Sequence, residues 1–81
     1  MKERHYTIIL HPDPEEGGFT VTVPALPGCV TQGETVEEAM AMAKDAIELY
    51  IESLLADGEA VPEEDDAPLQ IRTITVEAPA A

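Results

Sequence analysis

Positive charge is scarce in this sequence: Lys2, Arg4, Lys44 and Arg72 face 17 Asp and Glu residues, for a formal net charge of −13. Such a balance repels phosphate backbones, so direct binding of DNA or RNA by this chain is not expected, and a basic partner is. Acidity for solubility alone is the plainer alternative. Cysteine is reduced to Cys29, which excludes an internal disulfide and a cysteine-based zinc site. Lying between Pro27-Gly28 and Val30, Cys29 reads as a small buried hydrophobe, with a reactive thiol as the other reading. No apolar run reaches the length of a membrane-spanning helix, and Met1 to His5 lead into a strand pattern with no signal-like apolar region. A cytoplasmic location is the expectation.

Catalytic patterns are missing too. Ser53 is the sole serine and stands without an evident base; no nucleophile elbow, phosphate loop or glycine fingerprint occurs. His5 and His11 have no cysteine partner and no helical His spacing, so no metal site or cofactor is expected. A carboxylate–Mg²⁺ site needs acids projecting from strand interiors toward one point. Here the acids cluster instead in a helix pattern and in loops. The chain is not expected to be an enzyme.

What remains is a single small α+β domain. Residues 5–11 alternate, with Tyr6, Ile8 and Leu10 on one face and Thr7 and Ile9 on the other; residues 18–23 alternate likewise, with Phe19, Val21 and Val23 together. Both read as half-buried strands. The polar stretch from His11 to Gly18 suits a hairpin turn, and residues 29–33 a short third strand. Residues 36–56 carry a helical period: Val36, Ala39, Met40, Ala43, Ile47, Tyr50, Ile51 and Leu54 share one arc. Glu37, Glu38, Asp45, Glu48 and Glu52 occupy the opposite arc, with Lys44 among them. Thr35 and Glu38 form a capping box at its start, and Asp57-Gly58 is the stop signal. Residues 59–68 read as a mobile acidic connector, residues 69–77 as a last strand, and residues 78–81 as a disordered tail.

That last strand has an uneven pattern. Ile71 lies on one face, Ile74 and Val76 on the other, so a bulge or burial on both faces is required. The β-β-β-α-β order predicts an antiparallel three-stranded sheet with one covering helix. A right-handed crossover would set the C-terminal strand parallel to the first. Ile9, Ile71, Ile74 and Val76 are candidates for self-association into a homodimer or larger oligomer.

The densest specification lies between the second strand and the helix. Pro24, Leu26, Pro27, Gly28, Cys29, Gly33 and Thr35 fall in one segment where two prolines fix dihedrals and two glycines permit positive φ or close approach. Preceded by Tyr6, Glu15 to Gly18 and Phe19, and followed by Glu37-Glu38-Ala39, Ala43 to Ile47 and Gly58 to Pro62, this ordered set resembles the HicB-like antitoxin family, also called UPF0150. The resemblance covers residues 5–62 and extends toward the last strand. It implies a partial ribonuclease-H-like fold, a label of topology and not of catalysis. It also implies an antitoxin-like module that neutralises a small basic RNA-cleaving HicA-type toxin by occluding its active surface. A solitary homo-oligomeric assembly protein without a toxin is the alternative.

The five-residue acidic arc is the candidate partner face, and the Pro-Gly motif is expected to be architectural. Many members carry a C-terminal DNA-binding segment. Here an acidic connector, one strand and an Ala/Pro tail follow the helix, so operator binding is not carried over.

Overall fold

A computed structural model describes residues 3–64 and 69–80. Three strands, β1 (Ile9–Pro12), β2 (Phe19–Thr22) and β3 (Val30–Gly33), form an antiparallel sheet in the order β1-β2-β3, followed by helix α1 (Val36–Ala56). Ile9 pairs with Thr22 and Pro12 with Phe19; on the other side of β2, Phe19 pairs with Gly33 and Thr22 with Val30. The hairpin between β1 and β2 closes through Asp13. Its amide donates to the Gly18 carbonyl at 3.0 Å, and its side chain accepts from the Glu15 and Glu16 amides at 3.0 and 3.1 Å. An aspartate holding the amides two and three residues on is a turn-former by chemistry.

The alternation read from the sequence sets the faces correctly. Val21 packs with Ala39 and Ala43, joined by Ile8, Leu10 and Phe19. Val23, Leu26 and Cys29 form a second cluster with Tyr6, Ile8, Ala46, Ile47 and Tyr50 packed against it. The helix buries only Ala39 and Ala43 among its own residues, because α1 approaches the sheet on small side chains. Val36 and Met40, expected on the covered arc, stay 45% and 57% exposed. They flank the alanine contact line, where a one-helix layer over a short sheet leaves the margins open to water.

Both ends of α1 are closed by the groups the sequence placed there. The Glu38 amide donates to Thr35 Oγ1 at 3.1 Å, and the Glu38 carboxylate accepts from the Glu34 amide at 3.2 Å. At the other end, the Glu59 amide reaches the Leu54 carbonyl at 2.9 Å and the Gly58 amide the Leu55 carbonyl at 3.1 Å. That pair of bonds is a Schellman closure.

The expected last strand is corrected. Residues 69–80 form neither helix nor strand, all are exposed, and Arg72 Nη1 donating to Gln70 Oε1 at 3.0 Å is the one hydrogen bond within the stretch. The sheet therefore has three strands among the described residues, and the parallel crossover that the ribonuclease-H-like topology requires is not formed. The physical reason lies in the pattern. A segment with Ile71 on one face and Ile74 and Val76 on the other gains little by joining a sheet that has cover on one face alone.

The connector also differs from expectation in its first half. Tyr6 Oη donates to the Pro62 carbonyl at 2.5 Å, Arg4 pairs with Glu63 at 3.2 Å, and both the amide and hydroxyl of Thr7 donate to the Glu64 carboxylate. Residues 62–64 are thereby fastened beside the segment leading into β1. Asp65 to Pro68 of the connector, and Ala81 of the tail, lie outside the described residues.

Candidate partner-binding surface

The segment that connects β2 to β3 is built from two consecutive turns. The Leu26 amide donates to the Val23 carbonyl and the Cys29 amide to the Leu26 carbonyl, each at 3.0 Å. In the second turn Pro27 takes the first central position and Gly28, at φ 81°, the next. This is the type II arrangement, whose third residue must have positive φ. Between the turns, Leu26 is driven into the core at 0% exposure. Tyr50 Oη donates to the Pro27 carbonyl at 2.8 Å, tying the motif to the second-last turn of α1. Gly33 serves the other purpose, close approach: a Cβ there would meet the Ala39 nitrogen at 2.4 Å.

Pro24, Pro27 and Gly28 are exposed while Leu26, Cys29 and Gly33 are buried. Cys29 is buried, and desolvation pushes its thiol pKa up, which keeps it protonated and unreactive. Pro27 and Gly28 form the turn, and Gly33 permits the close approach of strand and helix.

Glu37, Glu38, Asp45, Glu48 and Glu52 are all exposed on α1, with Lys44 the helix's sole cation. The structure thus brings the five expected residues onto one solvent-facing arc. Glu38 has a second duty, since its amide and carboxylate both take part in the N-terminal cap. Sequence reasoning missed how far the acidic surface extends. Asp13 and Glu16 of the hairpin and Glu34 before the helix line one hollow with Glu38, so the hairpin tip continues the helix face. The only sequence signal was the density of acids in a turn, which is what any solvated turn displays.

The connector's Glu64 is the other carboxylate that the sequence left unplaced. Hydrogen bonds from the Thr7 hydroxyl and amide lower its pKa from the ordinary glutamate value. No motif links positions 7 and 64; only the fold brings them together. Among the described residues, no group of three or more His, Cys, Asp or Glu side chains is arranged to hold a metal ion. His11 Nε2 instead lies 3.1 Å from Thr22 Oγ1 across the β1–β2 pair. No helix of the described residues is long and apolar enough to cross a membrane.

Of the candidate self-association residues, Ile9 is half-buried in β1, whereas Ile71 and Ile74 are each 83% and Val76 72% exposed. Within one chain the structure does not pair them.

Comparison with known proteins adds what geometry alone does not. The family described as HicB_like antitoxin of bacterial toxin-antitoxin system matches residues 6–75. The UPF0150 protein Ta0767 of Thermoplasma acidophilum is 50% identical over 60 residues, covering 74% of this chain and 86% of that protein. Antitoxin HicB 1 of Photorhabdus laumondii is 42% identical over 62 residues, covering 76% of this chain but 39% of its own. Antitoxin HicB of Escherichia coli is 44% identical over 57 residues, 70% of this chain and 41% of its own. The chain therefore spans most of the short relative and about two fifths of the two antitoxins.

Proposed function

The chain belongs to the HicB-like antitoxin family, and from that premise we propose that it is the neutralising module of a toxin–antitoxin pair, holding a small, basic, RNA-cleaving toxin of the HicA type inactive. The observation that carries the proposal is the exposed acidic arc of α1, from Glu37 to Glu52, with the hairpin acids Asp13 and Glu16 lining a hollow beside Glu38. A protein that cleaves RNA must present positive charge to a phosphate backbone. An acidic surface of the same reach competes with RNA for that charge without any chemistry of its own. Clustered charge also speeds encounter and rejects acidic competitors, more than it adds affinity.

The mechanism is occlusion. The helix docks its Glu37, Asp45, Glu48 and Glu52 carboxylates against the toxin's RNA-binding cations, and RNA is excluded while the complex lasts. Glu38 contributes less to this contact, because its carboxylate is engaged at the helix cap. Exposed pairs are screened by salt, so inhibition weakens as ionic strength rises.

The test is co-expression with the product of a neighbouring short basic reading frame. Growth arrest by that product alone, relieved by this chain, supports the proposal. Arrest that this chain does not relieve contradicts it and favours the solitary assembly protein.

A further inference from the structure

We infer that Met42 and Leu49 form an apolar seam on which a basic amphipathic helix of the partner docks, so that apolar contact holds the complex together while the neighbouring carboxylates steer its formation. The inference rests on the toxin-binding reading and supplies what that reading leaves open. Exposed charge sets encounter rate and partner choice more than affinity, so another contact must hold the pair once formed.

Two rows on α1 carry it. Met42 and Leu49 lie one heptad apart, 42% and 67% exposed, and neither belongs to a core cluster. Glu38, Asp45 and Glu52 repeat at the same interval and are exposed. Each of these acids stands three or four positions from a seam residue, the spacing of neighbours on a helix surface. A lone exposed Leu means little. Two large apolar side chains in register with a row of like charge match a helix that packs along another helix, where the flanking charges select the partner. On the seam's other side, Ala46 packs against the second core cluster and Ser53 is exposed. Both are short, which leaves room for an incoming side chain between Met42 and Leu49.

Charge decides which flank of α1 is used. Met40 is 57% exposed too, but Lys44, the helix's sole cation, stands four residues on and opposes a basic surface there. Around Met42 and Leu49, every charged residue at a spacing of three or four is a carboxylate. Met42 also lines the hollow with Phe19, Asp13, Glu16 and Glu34. A Lys or Arg at that end of the docked helix can lay its aliphatic stem on Met42 and Phe19 and set its charged head among the acids.

The arrangement has the anatomy of a specific interface, apolar and short of charge at its centre, polar at its rim. Rim pairs exposed to water each add little. Removing the seam therefore shortens the life of the complex, whereas removing the acids slows its formation.

The experiment measures association and dissociation rates of the full chain with the purified basic partner across a range of salt. M42Q with L49Q leaves the charge unchanged and should raise the dissociation rate about tenfold or more, the mark of an interface centre. Its association rate and the salt dependence of that rate should match the parent chain. D45N with E52Q should do the reverse, slowing association and flattening its salt dependence. M40Q, on the Lys44 flank, should change neither rate. Circular dichroism should show the α1 signal intact in every variant. In the partner, the amides protected by the parent chain and released by M42Q with L49Q should fall within one helix carrying Lys or Arg.

A double variant that dissociates like the parent overturns the inference and leaves the toxin-binding reading standing. A parent chain that does not bind the partner overturns both. An equal loss from M40Q, or partner protection confined to a strand or loop, overturns it as well. So does a double variant that alters only the mass of the free chain, since a second copy would then be what covers the seam.

Discussion

A Cβ on Gly33 would lie 2.4 Å from the nitrogen and 2.6 Å from the Cα of Ala39, so the last residue of β3 and the first turn of α1 meet backbone to backbone. Neither atom belongs to a side chain that could swing away. Gly33→Ala must therefore separate strand and helix, at a cost of about 3 kcal/mol or more. Gly28→Ala meets no atom within 4 Å and is penalised only for its φ of 81°, about 1–2 kcal/mol. Urea midpoints should fall in that order, with G33A the lower.

Removing the helix cap has a smaller, separable effect. Thr35→Ala deletes the acceptor for the Glu38 amide, and a lost N-cap costs about 1 kcal/mol. Thr35→Ser keeps the oxygen and should restore the urea midpoint.

Cys29 should behave as a core atom and not as a reagent. With its side chain buried and its thiol pKa raised by desolvation, it should react with a disulfide reagent far more slowly in the folded chain than in urea. Equal rates in both states would contradict the packing described for the second cluster.

The Glu64–Thr7 contact gives a pH dependence of definite sign. A carboxyl whose folded pKa is depressed adds stability above its unfolded pKa, and that stability is lost as pH falls through the folded value. Thr7→Val removes the hydroxyl donor and leaves the amide, so the Glu64 carbon resonance should titrate at higher pH than in the parent chain. The contact's contribution to acid stability should shrink with it.

Local signals in the sequence were legible where the physics is local. Thr35 and Glu38 at the capping spacing, Gly58 after the helix, and the alternation of Tyr6, Ile8, Leu10, Phe19 and Val21 each depend on neighbours a few residues away. Gly28 was marked as a position that permits positive φ, and the structure uses it so, in a type II turn after Pro27. The acidic arc was readable from helical period alone, but not its extension to Asp13 and Glu16, which depends on where the hairpin tip folds.

Residues 69–77 illustrate the limit. Period and β-branching indicate an extended segment, but they carry no information on which edge receives it. The sequence reading placed it on its own sheet, and the structure leaves it free of that sheet. The same holds for Glu64, whose partner Thr7 lies 57 positions away. Long-range pairing is set by the whole fold, and no short window contains it.

Charge reversal on the helix separates binding from folding. Glu48→Lys with Glu52→Lys changes two exposed positions that make no described cap or core contact. Stability should move by no more than about 0.5 kcal/mol. Toxin binding should weaken and lose part of its salt dependence. The same charge change made at Glu38 should also destabilise the helix start.

The most direct measurement is RNA cleavage by the purified basic partner, titrated with this chain at low and high salt. The account predicts loss of cleavage at stoichiometric amounts in low salt, partial return in high salt, and a weaker block by the Glu48→Lys, Glu52→Lys chain. Undiminished cleavage at large excess of the chain in low salt would contradict it.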